Sequence, residues 1–344
     1  MENPMRVLVT GATGFLGSRL VSALAARGDI VRALVRGKGV ERRWQGTNIE
    51  IFQGDMKDRD SLRRSVAGVD TVYHAAAAMR GPWQEFEETT IRGTEWMLDL
   101  SRKAGVGRFV HISSVTIYRT SGLPAGANID ETCPWDPEPE RRGPYVHAKI
   151  EAERHAFRYM QEGFPVVVIR PGIIYGPGGR LMHPNVGYFL TKRLFLSVGK
   201  GDNPLPLTYV DNTVDGILLA ASAQNAAGEA YNLVDGAAIT QKEFLDRYRA
   251  SVKDGFVTLS VPLPLLLVTV ALARCLKKIG LPSIASTAYG FRAQYAHIRL
   301  DASKAWSKLG WKPRISLEEG LRRTFSIIRS SYCPLERIDP PNRY

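Results

Sequence analysis

The sequence predicts an α/β protein: a doubly wound parallel sheet with a smaller, mostly C-terminal lobe that binds substrate. Three observations carry this. Residues 6 to about 170 alternate short β-branched runs with helix-length amphipathic stretches, which implies right-handed crossovers and a sheet covered on both faces. The first run leads directly into Gly11, Gly14 and Gly17, spaced three apart at the start of a helical pattern. After residue 171 the rhythm loosens and Gly and Pro accumulate.

In order, the strand-like runs are "RVLVT" from residue 6, "IVRALVR" from 30, "IEIFQGD" from 49, "TVYHAA" from 71, "RFVHISS" from 108 and "PVVVIRP" from 165. Amphipathic patterns between them predict helices over 14–27, 58–66, 85–104 and 145–162. Beyond "GIIYGPGGRLMHPN" the pattern suggests a helix at 186–198, a strand near "LTYVD", a helix at 212–223, a return to the sheet at "EAYNLVD" and a helix from Thr240 onward. Residues 1–175 therefore form the nucleotide-binding domain, with returning segments near 205–235, and 176–344 form mainly the substrate lobe.

The most apolar segment, 261–276, carries Pro262, Pro264 and Arg274 and precedes Lys277 and Lys278. It is shorter than the roughly 20 residues that a spanning helix needs. A buried or pocket-covering helix is the first reading, and a peripheral membrane contact through 261–278 is the alternative.

A chain of 344 residues with 44% hydrophobic and 23% charged residues is neither disordered nor a repeat array. The net charge of +12 attracts anions of every kind, but Lys and Arg are scattered, so a small-molecule substrate is expected and nucleic acid is not. Cys133, Cys275 and Cys333 form no C-x-x-C pair, which points to a reducing compartment and no structural metal. "MENPMRVLVTGATG" does not resemble a cleaved leader, so a cytoplasmic location is expected.

Two groups of residues carry chemistry. Gly11 permits a tight turn, Gly14 lets a pyrophosphate approach the backbone, and Gly17 lets the helix pack close to the sheet, with the helix N-terminus facing the phosphates. A purely structural glycine turn is the alternative. Tyr145 and Lys149 stand four apart in "YVHAKIEAERHAF", on one helical face, where a lysine charge would lower the phenol pKa and make Tyr145 a general acid/base.

These residues, with "GDM" at 54–56, "HAAA" at 74–77, "HISSVTIY" at 111–118 and "RPGIIYGPG" at 170–178, resemble the extended branch of the short-chain dehydrogenase/reductases, of the epimerase/dehydratase type. "YVDNTVDGILLA" at 209–220 and "KAWSKLGWKPRISLEEGL" at 304–321 are most similar to the 3β-hydroxysteroid dehydrogenase-like group. The resemblance implies a Rossmann-type sheet, Ser114, Tyr145 and Lys149 as the catalytic set, and a nicotinamide dinucleotide held in the Gly11, Thr13, Gly14, Phe15, Leu16 and Gly17 turn. It also implies adenine contacts from Asp55 and Met56, backbone contacts at Ala75 and Ala76, a nicotinamide seat at Pro171 and Ile173, and a second role for Tyr145 and Lys149 against the cofactor. Homodimerisation through outer helices is common in such proteins.

Where the resembling proteins that use NAD place a carboxylate on the adenosine ribose, this chain has Val35 followed by Arg36, which favours NADP(H). One departure is "TIRGT", with Thr90 in place of an asparagine. The expected function is an NADP(H)-dependent oxidoreductase interconverting a ketone and a secondary alcohol on a sterol-like or alkyl-keto substrate. A sugar-nucleotide epimerase or dehydratase, with Arg180, Lys192 and Arg193 as candidate diphosphate donors, is the alternative, and a nucleotide sensor without turnover is a third.

Overall fold

The computed structural model describes residues 4–37, 44, 48–180, 182–236, 239–252, 255–277 and 287–330. Lys278, Cys333 and the 331–344 end of the expected substrate lobe lie outside the described residues. In chain order, β1 (Arg6–Thr10) runs into α1 (Phe15–Arg27), β2 (Ile30–Val35), β3 (Ile49–Gln53), α2 (Arg59–Ser65) and β4 (Thr71–His74). A helical stretch of changing pitch follows: α3 (Trp83–Phe86), a π-helical segment at Glu87–Arg92, and α4 (Gly93–Lys103). Then come β5 (Arg108–Ile112), a short β6 (Ala127–Ile129), α5 (Pro144–Gln161) and β7 (Val166–Pro171).

The second half holds β8 (Ile173–Tyr175), β9 (Tyr188–Thr191), β10 (Leu194–Val198), β11 (Pro204–Leu205), β12 (Leu207–Tyr209), α6 (Val210–Ser222) and β13 (Ala230–Leu233). It continues through β14 (Ile239–Thr240), α7 (Gln241–Ser251), β15 (Val257–Val261), α8 (Leu263–Lys277), α9 (Ala288–Gln294), β16 (Ile298–Leu300), α10 (Ser303–Leu309) and α11 (Leu317–Ser330).

Seven strands form one parallel sheet in the order β13-β7-β5-β4-β1-β2-β3. The runs are continuously apolar because both faces are covered: Val7 and Val9 pack with Leu20, Val21 and Leu24 of α1 and Ile217 of α6, while Leu8, Val72 and Phe109 pack with Leu62, Met97 and Tyr159 on the other side. Strand order reverses between β1 and β4, and a crevice opens above their carboxyl ends, where Gly11 meets Ala75 and Ala76.

Two elements differ from expectation. The segment 186–198 is not a helix but the β9–β10 hairpin, because its aromatic residues follow the strand period: Phe189 lies opposite Phe195, their rings 4.9 Å apart. The 85–104 region is interrupted by the π-helical stretch around Thr90. In the 261–276 segment Val261 ends β15 and the helix expected there begins at Leu263, with Leu263, Leu266, Leu267 and Val270 packed around Val198, Phe291 and Tyr295, while Leu265 and Val268 are exposed. No helix among the described residues is long and apolar enough to cross a membrane.

Candidate active site

The glycine turn leaves no space for side chains. Gly11 has φ +67°, and a Cβ there would lie 2.8 Å from the Ala76 nitrogen. A Cβ on Gly17 would lie 2.1 Å from the Gly11 carbonyl oxygen, a contact that only removal of the Cβ avoids. Gly14 caps α1 with no side-chain hydrogen bond, and the first turn contains no acidic residue. The amides of Phe15, Leu16 and Gly17 thus have no acceptor within the helix, and Thr13 is exposed beside them. This positive helix end fits the diphosphate of a dinucleotide. The Phe15 ring lies beside Gly176 and Gly179, and Arg19 donates to the Pro177 carbonyl at 3.2 Å, so the start of α1 also braces the loop that opens the second lobe.

A buried chain of hydrogen bonds fixes the crevice. Thr10 Oγ1 bonds His74 Nδ1 at 2.9 Å, and His74 Nε2 bonds Thr94 Oγ1 at 2.9 Å. Thr94 donates to the Thr90 carbonyl at 2.5 Å, and Ala76 N donates to Thr10 Oγ1 at 3.2 Å. Burial lowers the His74 pKa to about 3, with the Lys149 charge acting the same way, so the ring is neutral and passes one hydrogen bond along. Thr90, itself buried, accepts from the Ala78 amide at 2.8 Å. Its hydroxyl is committed to holding the loop after β4, which gives the departure from asparagine a structural role.

At the end of β2, Val35 is buried, while the Arg36 side chain is 64% exposed and only loosely paired, 3.8 Å from Glu85. Lys57 holds the same Glu85 more closely, at 2.5 Å. The Asp55 carboxylate accepts from the Lys57 amide at 3.0 Å on the same rim of the sheet. Met56 behaves differently from its neighbour: its side chain is buried in the core, so close to Gly93 that a Cβ there would lie 2.9 Å from Met56 Cε.

Gly143, at φ +97°, and Pro144 in the first turn start α5 and set Tyr145 at its beginning. The ring packs with Ala78, Phe86, Ile91 and Ala148, and the Ser114 hydroxyl is near enough to act on the phenol. Ser114 ends the β5 run, and its Oγ accepts from the Thr116 amide at 3.2 Å and the Thr116 hydroxyl at 3.0 Å. Burial raises the Tyr145 pKa, and the nearby Ser114 hydroxyl acts in the opposite direction. The lowering expected from Lys149 is not what this arrangement gives. The Lys149 ammonium, 3% exposed, donates to the Ile112 carbonyl at 2.5 Å, and burial lowers its own pKa to about 8, with Glu153 opposing. Next to these residues, Pro171 closes β7, Gly172 donates to the Leu233 carbonyl at 3.0 Å and Ile173 to Pro206 at 2.7 Å, so this backbone is rigidly tied.

Sequence reasoning passed over what lies beneath α5. Glu153, one turn beyond Lys149 and fully buried, binds Arg170 of β7 at 2.7 Å and accepts from Trp135 Nε1 at 2.7 Å. Arg170 also donates to the Tyr118 hydroxyl at 2.8 Å, and Tyr118 donates to Asn232 of β13 at 2.6 Å. Burial, the largest single influence, would lower the Arg170 pKa, but the Glu153 charge, Tyr118 and the hydrogen bonds to both together raise it. The available signal was an arginine inside the otherwise apolar "VVVIRP" run, since a charge in a strand covered on both faces demands a partner.

The family model of the NAD dependent epimerase/dehydratase family matches residues 7–233. The chain belongs to that family. Its similarities within this extended short-chain dehydrogenase/reductase group are of two kinds. It is 30% identical over 321 residues to the 4-hydroxy-2-methyl-3-oxo-4-farnesyl-3,4-dihydroquinoline-1-oxide ketoreductase of Stigmatella aurantiaca, covering 92% of this chain and 95% of the other. It is also 30% identical over 329 residues to the N-acetyl-alpha-D-glucosaminyl-diphospho-ditrans,octacis-undecaprenol 4-epimerase of Escherichia coli O157:H7, covering 92% and 93%. Among solved structures, UDP-glucuronic acid 4-epimerase from Bacillus cereus in complex with NAD superposes with a TM-score of 0.73 at 22% identity, over 95% of this chain and 97% of that one. That likeness is one of fold. With its ketoreductase relative, the family points to an enzyme of oxidoreductase kind that uses a nicotinamide dinucleotide.

Proposed function

We propose that this protein is an NADP(H)-dependent oxidoreductase that interconverts a ketone and a secondary alcohol on a hydrophobic substrate. The observation that carries the reading is the buried Val35 followed by the exposed, loosely paired Arg36 at the end of β2. No carboxylate stands there to repel a 2′-phosphate, and a guanidinium is free to bind one. The division into a nucleotide-binding domain over 1–175 and a substrate lobe beyond it belongs to the same proposal.

A bound nicotinamide dinucleotide supplies the hydride. Tyr145 gives its proton to the carbonyl oxygen, and Ser114, which accepts from Thr116, retains its own O–H to donate to that same oxygen. Because burial raises the Tyr145 pKa, the phenol stays protonated through neutral pH, as a proton donor in reduction requires. Lys149 holds the end of β5 through the Ile112 carbonyl and would also hold the nicotinamide ribose when the cofactor is bound. The apolar wall around Tyr145, with Trp83 stacked on His147 at 4.5 Å, suits a substrate of low polarity. The ketoreductase relative supports the same direction.

The epimerase relative favours a second reading, a redox-neutral conversion of a diphospho-sugar with a retained cofactor. One experiment separates them: purified protein is mixed with NADPH or NADH and, in turn, sterol ketones, long-chain keto acids and nucleotide sugars. Loss of the reduced nicotinamide absorbance with an apolar ketone, faster with NADPH, supports the proposal. An isomerised sugar without net cofactor consumption overturns it.

A further inference from the structure

We propose that the second lobe docks on an anionic lipid surface through β15, the tip of the β9–β10 hairpin and the outer face of α8. Among the described residues ten large apolar side chains are exposed, and five of them, Leu190, Val257, Leu259, Leu265 and Val268, belong to this one lobe, at 47% to 67% exposure. The strand register makes three of the elements continuous. Val257, Leu259 and Val261 of β15 lie opposite Leu194, Leu196 and Val198 of β10, so all six share one face. At the Val198 end that face is covered by Leu263, Leu266, Leu267 and Val270 of α8. Toward Leu259 and Val257 it continues uncovered, and Val257 ends beside the hairpin tip, donating to the Arg193 carbonyl at 2.8 Å. Leu265 and Val268, three apart, turn the opposite side of α8 outward, so the helix is apolar on the side that its core does not need.

Charge selects the occupant. Residues 163–201 and 255–300 contain ten Lys or Arg and no Asp or Glu, although the whole chain has a net charge of only +12. Arg170 is buried against Glu153, but Lys192 and Arg193 are exposed at the hairpin turn with no ion-pair partner among the described residues. A second copy of the chain docked on this face about a two-fold axis would bring these cations toward one another. An anionic leaflet satisfies both components at once, since apolar side chains enter the headgroup boundary while each nearby cation strengthens binding about fivefold. No spanning helix is required, and the inference does not depend on the carbonyl chemistry proposed above.

The test is co-sedimentation of the full chain with vesicles of phosphatidylglycerol and phosphatidylcholine, against phosphatidylcholine alone, at low and high salt. Binding to the anionic vesicles at low salt is expected, weakened by salt and by removal of phosphatidylglycerol. Leu265→Asp/Val268→Asp should reduce the bound fraction about tenfold or more, and Lys192→Glu/Arg193→Glu should do the same, with circular dichroism and the thermal midpoint unchanged. Should the first variant misfold, Val257→Asp on the exposed edge takes its place. Absence of binding by the parent at low salt, or equal binding by parent and both variants, overturns the proposal. So does concentration-dependent dimerisation that the apolar variant abolishes while vesicles bind nothing, which would assign the face to a second copy.

Discussion

Two arginine–carboxylate pairs sit at opposite sides of the same sheet and have opposite physical characters. Arg170 and Glu153 are buried to 3% and 0% exposure, 2.7 Å apart, with Tyr118 and Trp135 taking up further hydrogen-bonding capacity. Arg36 and Glu85 are 64% and 27% exposed and 3.8 Å apart. The first pair is committed: its ion pair joins β7 to α5, the helix that carries Tyr145 and Lys149, and its further bonds tie in Tyr118 and Trp135. The second is uncommitted, since water screens it and an incoming anion can replace the carboxylate at little cost. The difference teaches that burial, more than residue type, decides whether an arginine builds the site or waits for a ligand.

The sharpest way to break this contrast is to remove one partner of the buried pair. Arg170→Met should destabilise the protein by about 3–5 kcal/mol in urea unfolding, because Glu153 is left charged and unpaired. The double variant Arg170→Met/Glu153→Leu should recover most of the loss; if the double is as unstable as the single, the cost lies in packing and not in charge. Next in size is His74. Its folded pKa, about 3, lies below the unfolded value near 6.5, so the unfolded chain binds the extra proton and stability falls with pH below 6.5. His74→Gln should be less stable than the parent at pH 7 yet lose on the order of 2 kcal/mol less between pH 6.5 and 5. Parallel curves for the two proteins would remove His74 from the acid response.

On the exposed side, Arg36→Ala should raise the Michaelis constant for NADPH about tenfold or more and leave that for NADH nearly unchanged, as expected for a lost charge-assisted phosphate contact. Equal changes for both cofactors would count against the 2′-phosphate role. The smallest effect completes the comparison: the same Arg36→Ala substitution should change urea-unfolding stability by less than about 0.5 kcal/mol, because a screened surface pair contributes little.

Most of the sheet was legible because its strands are short apolar runs between helical periods, and because the glycine turn follows the first of them with no intervening residues to confuse the pattern. Tyr145 and Lys149 were legible as types at a spacing and Ser114 through the family resemblance, and the fold brings the Ser114 hydroxyl near enough to the Tyr145 phenol to act on its pKa. The β9–β10 hairpin fits a helical expectation equally well because a run such as "VGYFLTKRLFLSV" contains enough apolar residues for either period, and only Phe195 of β10 and Phe256, just before β15, meeting Phe189 decides between them. The resemblance makes Met56 an adenine contact, and what the sequence does not show is that its side chain also packs against Gly93, a residue distant in sequence that no local pattern reveals.

Local chemistry along the chain was enough to specify where backbone must turn tightly, where helices start and which side chains can move a proton, because those depend on residues within a turn or two of one another. The protonation behaviour of those side chains was not specified there. Tyr145 is raised and not lowered, and Lys149 is directed to the Ile112 carbonyl, because solvent exclusion and long-range partners such as Glu153 and Arg170 come into being only when separate strands and helices close around them.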